Sequence, residues 1–130
     1  MATLTVSAAD EKRVKAMGFL SNKGTDNFSG RIITVNGKIT AAQQRCIAEE
    51  FGNGAVPFTT RLTIEVQGIP YGQIEAFQAY IAREGLTTGG TGSLVRPVVA
   101  CKGTTCQYGL LDSFAISEEI HRRFYEGYHG

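Results

Sequence analysis

The sequence has almost no excess of charge, few cysteines and no long apolar run, and each shortage excludes something. Thirteen Lys and Arg against twelve Asp and Glu leave a formal net charge of +1. That balance supplies no basic stripe for nucleic acid or for an anionic membrane surface. Three cysteines among 130 residues, unevenly spaced, do not make the disulfide framework of a small secreted domain. No stretch approaches the length of a membrane span. The opening MATLTVSAADEKRVKAMGF meets Asp10, Glu11, Lys12 and Arg13 before the apolar core of a signal peptide builds up. The expected compartment is the cytoplasm, with thiols kept reduced. There is no internal repeat and no low-complexity segment.

What is present is enough for a core: 42% hydrophobic and 19% charged residues, an ordinary globular balance. Glycine is abundant at 16 residues, which points to tight turns or to backbone in close approach. Residues 1–30 read as an irregular N-terminal arm, with a short helix at Ala8–Met17 and a turn-rich NKGTDNFSG. A β-branched strand, RIITV (31–35), follows and closes at Asn36-Gly37. Thr40 and Gln43 have the spacing of a capping box and open a helix with Ile39, Cys46, Ile47 and Phe51 along one side. Cys46 on that stripe reads as a buried structural thiol. In AVPFTTRLTIEVQG (55–68), Leu62, Ile64 and Val66 alternate with Arg61, Thr63, Glu65 and Gln67, so one face packs on helices and the other is polar. Ile69-Pro70 leads into a second helix carrying Ile74, Phe77 and Ile81 until Gly85.

The order β-α-β-β-α is most of a split βαβ unit. The fold class it predicts is α+β: a ferredoxin-like antiparallel sheet with helices on one face, over residues 31–93. Residues 94–130 then begin a partial second α/β unit. In it Pro97 limits LVRPVVA to an edge or irregular strand. Asp112 or Ser113 caps a last helix with Ile116, Ile120 and Phe124 in an i, i+4 stripe, which puts His121 on the solvated side.

Between them lies VVACKGTTCQYG (98–109), where Cys101 and Cys106 form a C-x4-C pair in a Gly/Thr loop. Four chemistries stay open for it. The pair can be half of a tetrathiolate site for zinc or an iron–sulfur cluster, since both need four ligands. It can be a thiol redox pair, though wider than the C-x-x-C that lowers a thiol pKa at a helix start. It can be two ordinary buried thiols, or a nucleophile served by His121 or His129. Arg61 and Thr63 on the polar strand face, Arg96 five residues before the pair and Lys102 within it are placed to hold an anion covering that face.

The stretch NGKITAAQQRCIAEEFGNGAVPFTTRLTIEVQGIP resembles the ferredoxin-like half domain of the nitrite and sulfite reductases, the siroheme enzymes. The shared features are a Gly-x-Ile-Thr helix start, Thr-Thr-Arg, an alternating strand and Gly-Ile-Pro. RPVVACKGTTCQYGLLDSF resembles the start of the siroheme and 4Fe–4S domain, and the similarity runs from about Met17 to Tyr128. The resemblance implies the following roles. Arg61 and Arg96 bind the oxyanion substrate, sulfite or nitrite, over the siroheme. Arg31, Thr60, Thr63 and Lys102 join them around the macrocycle carboxylates. Cys101 and Cys106 are the first cluster-ligand pair, and an electron-donor protein or domain is a partner. Siroheme carries many carboxylates, so cations lining its cavity offset both cofactor and substrate charge.

Two features depart from the family. Larger members space this pair C-x5-C, and their second pair, in a GCPNNC-like motif, has no counterpart here. The chain therefore reads as the N-terminal part of a longer reductase. Two other readings stand beside it: a stand-alone ferredoxin-like binding or assembly module without activity, and a homo-oligomer holding zinc between two cysteine pairs.

Overall fold

A computed structural model describes residues 6–50, 55–92 and 95–126. Its central strand is β2, Asn27–Ile32, flanked by β1, Phe19–Ser21, and β3, Ile64–Pro70, all antiparallel in the order β1-β2-β3. Phe19 faces Gly30 across one ladder; Arg31 faces Glu65 and Ile32 faces Ile64 across the other. Between Phe28 and Gly30 the register slips, because β3 carries one extra residue there. Gly68, at φ +77°, takes the left-handed conformation that such a bulge demands.

Four helices follow the sheet's connections: α1 Ala8–Ala16, α2 Ala41–Glu50, α3 Ile74–Ala82 and α4 Ser113–Ile120, the last continued by a wider π-type turn, His121–Glu126. The capping box of α2 forms as its residues require: Thr40 N–H donates to Gln43 Oε1 at 2.9 Å, and Gln43 N–H to Thr40 Oγ1 at 3.1 Å. Asp112 caps α4 by accepting from Ala115 N–H at 3.1 Å. Ile74, Phe77 and Ile81 of α3 are buried, as their spacing predicts, and join Val14, Phe19, Phe28, Ile32, Ile47 and Val66 in one core. Phe19 meets Phe77 edge to face, with centroids 6.0 Å apart. The architecture is the α+β antiparallel sheet with helices that the residue pattern implies.

Four details differ from the sequence expectation. First, the turn-rich NKGTDNFSG belongs to a hairpin and not to a loose arm. Asn22 N–H donates to Asn27 O at 2.8 Å, closing the β1–β2 connection. The strand expected at 31–35 therefore starts four residues earlier and ends at Ile32. Second, β3 starts only at Ile64. Residues 59–62 fold into a turn in which Leu62 N–H donates to Thr59 O at 3.1 Å and Leu62 has φ +58°. The alternation breaks there, so Thr63 is buried in place of lining a polar face. Third, residues 95–100 form no strand, in line with Pro97. Fourth, α4 is turned over: His121 is buried, while Ile116, Ile120 and Phe124 face outward. Phe51 of the expected α2 stripe and the candidate base His129 lie outside the described residues. Among the described residues no helix is long and apolar enough to cross a membrane.

Gly30 sits in a tightly packed part of the core. A Cβ there would lie 2.9 Å from Phe19 Cε1, 3.0 Å from Phe77 Cε1 and 3.1 Å from Ile69 Cδ1. Gly30→Val should destabilise the fold by about 1–3 kcal/mol through overpacking. Gly72→Ala, where nothing lies within 4 Å, should stay within about 0.5 kcal/mol. Urea unfolding of the two variants compares them; equal midpoints would refute the packing account.

Candidate functional site

The segment 87–92, Thr-Thr-Gly-Gly-Thr-Gly, lies against the start of the fold. Thr88 Oγ1 donates to Met17 O at 2.7 Å, Thr91 Oγ1 donates to Lys15 O, and Gly89 N–H donates to Arg31 O at 3.1 Å. Its glycines are required sterically. A Cβ on Gly90, at φ +67°, would stand 2.8 Å from Pro97 Cδ, and one on Gly89 would collide with the Tyr125 hydroxyl. The carbonyl of Gly90 points at two guanidinium groups, with Arg31 Nη1 at 3.3 Å and Arg96 Nη1 at 2.7 Å. Arg96 Nη2 also donates to Gly92 O at 2.7 Å. Glu65 Oε2, 3.7 Å from Arg31 Nη2, offsets part of this paired positive charge. Arg31 Nε is buried without a partner among the described residues.

The cysteine loop follows. Gly103–Thr105 is a single 3-10 turn, and Cys106 N–H closes it on Gly103 O at 3.1 Å. Gly109 N–H then donates to Cys106 O at 2.9 Å. Gly103 has φ +60°, and a Cβ on Gly109 would come within 2.8 Å of Gly103 O, so this tight return needs glycine at both places. Cys101 is exposed and Cys106 half-buried; both are free thiols. Cys101 Sγ lies 3.0 Å from Ser113 Oγ, whose hydroxyl also reaches Cys101 O at 3.2 Å. The Ser113 hydroxyl first, and the Gly103 backbone second, hold the Cys101 thiol below its ordinary pKa. A lowered thiol pKa favours the thiolate, the form that ligates metals and reacts as a nucleophile.

The other residues singled out from the sequence fall elsewhere. Thr60 and Arg61 are exposed on the 59–62 turn. Thr34 Oγ1 pins that turn by donating to Leu62 O. Thr63 shares a 2.6 Å hydrogen bond with Thr59 Oγ1. Lys102 is exposed beside Cys101, its carbonyl accepting from Thr105 Oγ1 at 2.7 Å. No hydrogen bond or ion pair among the described residues joins Arg61 or Thr60 to Arg31, Arg96 or the cysteine loop. Cys46 is buried with Sγ 3.9 Å from Tyr80 O, a structural thiol as its helix position predicts.

Two participants were hidden in the sequence. Glu65 was legible as a polar-face residue but not as the partner of Arg31. Ser113 shared the capping role with Asp112; once Asp112 takes the cap, the Ser113 hydroxyl is left for Cys101. Among the described residues no group of three or more His, Cys, Asp or Glu is placed to hold a metal. As a metal site the loop therefore offers two sulfur donors out of the four that a tetrathiolate centre needs.

Residues 21–84 match the family model of the nitrite/sulfite reductase ferredoxin-like half domain. Over 102 residues, 76% of the chain, the sequence is 35% identical to an uncharacterized protein, MJ0551, of Methanocaldococcus jannaschii, of which it covers 37%. Over 81 residues, 62% of the chain, it is 36% identical to the coenzyme F420-dependent sulfite reductase of the same organism, of which it covers 13%. The chain thus spans well under half the length of these relatives. The NirA protein of Mycobacterium tuberculosis has a similar fold, with a TM-score of 0.77 at 20% identity over 92% of this chain and 26% of that one.

The Ser113 contact makes a pH prediction. In dilute solution, alkylation of Cys101 by iodoacetamide, followed by peptide mass spectrometry, should reach half its maximal rate at a pH below the ordinary thiol value. Ser113→Ala should move that midpoint upward. A midpoint that the variant leaves in place would rule out the hydrogen bond as its cause.

Proposed function

Through residues 21–84 the chain belongs to the nitrite and sulfite reductase family, as its ferredoxin-like half domain, and from that premise we propose that it is part of a siroheme- and 4Fe–4S-dependent reductase that carries out multi-electron reduction of sulfite or nitrite. The observation that carries this reading is the cysteine loop, where an exposed thiol held toward its thiolate stands five residues beyond Arg96. Residues 94–130 would begin the siroheme and cluster domain. An electron-donor protein or domain and a cytoplasmic setting complete the proposal.

The roles divide by what each side chain has free. Cys101 and Cys106 would supply two of the cluster's thiolate ligands. Arg61, exposed and without a side-chain partner among the described residues, would bind the oxyanion. Arg96 would be the second oxyanion contact, and it turns to an anion by giving up Gly90 and Gly92 carbonyls. Arg31, Thr60 and Lys102 would meet the macrocycle carboxylates. Thr63 fits this set least, since it is buried and its hydroxyl is shared with Thr59. When bound, the cluster and siroheme would pass electrons from the donor to the anion; the chain's own cations would hold the anion and polarise its oxygens.

A second reading is favoured by one observation, the two sulfur donors where four are needed. On it the 130-residue chain acts as a binding or assembly module for the tetrapyrrole or a partner and shows no turnover alone.

Anaerobic reconstitution with ferrous iron, sulfide and siroheme tests the proposal, reading iron per chain and visible absorption. With two of the four thiolates on this chain, a chromophore that bleaches on reduction should form only where a neighbouring chain or the rest of the reductase brings the missing ligands, and Cys101→Ser with Cys106→Ser should abolish that iron uptake. If the double variant binds as much iron as the parent, the cysteines are not ligands and the cluster assignment fails. A parent that stays colourless means that this chain is a scaffold half, folded but catalytically incomplete.

A further inference from the structure

One hydroxyl at the cysteine loop is set against sulfur. Ser113 Oγ lies 3.0 Å from Cys101 Sγ and 3.2 Å from Cys101 O. The loop's own hydroxyl at Thr105 is turned away and donates to Lys102 O at 2.7 Å. Two local features bring Ser113 to the thiol. Asp112 takes the cap of α4 by accepting from Ala115 N–H, so Ser113 opens the helix with its hydroxyl free of that duty. Gly103 is buried at φ +60° and lies close to the same helix start. A Cβ there would stand 3.3 Å from Ser113 Oγ and 3.4 Å from Phe114 N. Both partners belong to this chain, so the contact needs no neighbour to complete it.

A serine hydroxyl has one proton to give. While Cys101 is a thiol, its S–H can donate to Ser113 Oγ and the Ser113 O–H to Cys101 O, which uses both donors. A sulfur that ligates a metal has no proton. The Ser113 O–H is then the one donor left between the two side chains. Resting on the reductase reading, we propose that Ser113 is a positioning residue for the cluster ligand Cys101: it turns its O–H from Cys101 O to the ligating sulfur and thereby raises the cluster's reduction potential. Hydrogen bonds to cluster sulfurs are among the levers that set such potentials. The cause is electrostatic. Reduction adds negative charge, part of it on sulfur, and a donor aimed at that sulfur stabilises the reduced form more than the oxidised one.

The test uses the full-length reductase that carries this chain, titrating the cluster's midpoint potential by electron paramagnetic resonance with iron counted per chain. Ser113→Ala should shift the reduction equilibrium roughly tenfold toward the oxidised form, a midpoint lower by about 59 mV for a one-electron couple, at unchanged iron content. Ser113→Thr keeps a hydroxyl and should hold the parental midpoint. Thr105→Val removes a hydroxyl that is not on sulfur and should leave the midpoint in place. Should Ser113→Ala lose its iron, Ser113→Val against Ser113→Thr makes the same comparison at equal shape, with only the valine variant shifted. A deletion variant with full iron and the parental midpoint would overturn the proposal and leave the cluster assignment standing. Equal shifts in Ser113→Ala and Thr105→Val would overturn it too, as a general loosening of the loop. If Cys101→Ala keeps its full iron, Cys101 is not a ligand, and the cluster assignment falls together with the role of Ser113.

Discussion

The fold turns on a stretch with hardly any side chain. Residues 87–92 carry hydrogen bonds to the end of α1, to β2 and, through Gln78 Nε2 on Thr88 Oγ1 at 3.0 Å, to α3. Ile33 N–H donates to Thr87 O at 2.9 Å and extends β2's pairing past its own last residue. Gly89 and Gly90 let Tyr125 and Pro97 come against the same backbone. One short segment thus ties the end of α1, the central strand, α3, Pro97 and Tyr125 to each other. Side chains at these glycines would force those neighbours apart, which is why this linker is a joint and not a spacer.

That joint explains the placement of the candidate site. It draws Arg31 from the middle of the sheet and Arg96 from the following segment onto one carbonyl, and the cysteine loop begins five residues later. Arg61 stands apart on its own turn, pinned through Leu62 and Thr34. The cations therefore come from three parts of the chain that are distant in sequence. Two of them are already organised around backbone acceptors, and the third is free in solvent.

Legibility in the sequence followed the range of the physics. The capping box at Thr40 and Gln43, the α3 stripe, the buried Cys46 and the irregular path through Pro97 are local, and local rules were sufficient. The hairpin through NKGTDNFSG was not legible, because its strand includes Gly30, chosen by Phe19 and Phe77 pressing in from elsewhere. Thr63 was misplaced because alternation assumes extended backbone, and Leu62 leaves it at positive φ. The α4 helix was read correctly in extent and wrongly in orientation. Periodicity tells that a helix has an apolar side but not whether that side faces this chain or another. The convergence of Arg31 and Arg96 depends on a sequence separation that no spacing rule covers.

The shared carbonyl at Gly90 also has a thermodynamic meaning. Both of its lone-pair directions are taken by guanidinium groups, and Arg96 holds a second carbonyl as well. An anion that recruits Arg96 does not meet an idle charge; it enters an exchange in which two charge-assisted hydrogen bonds, each worth about 1.5–3 kcal/mol, are traded for new ones. The backbone thereby acts as a competing ligand, always present at fixed local concentration. Recruiting Arg96 is favourable only where the incoming acceptors make up for the bonds given up. That competition is set by two carbonyl groups that belong to glycines.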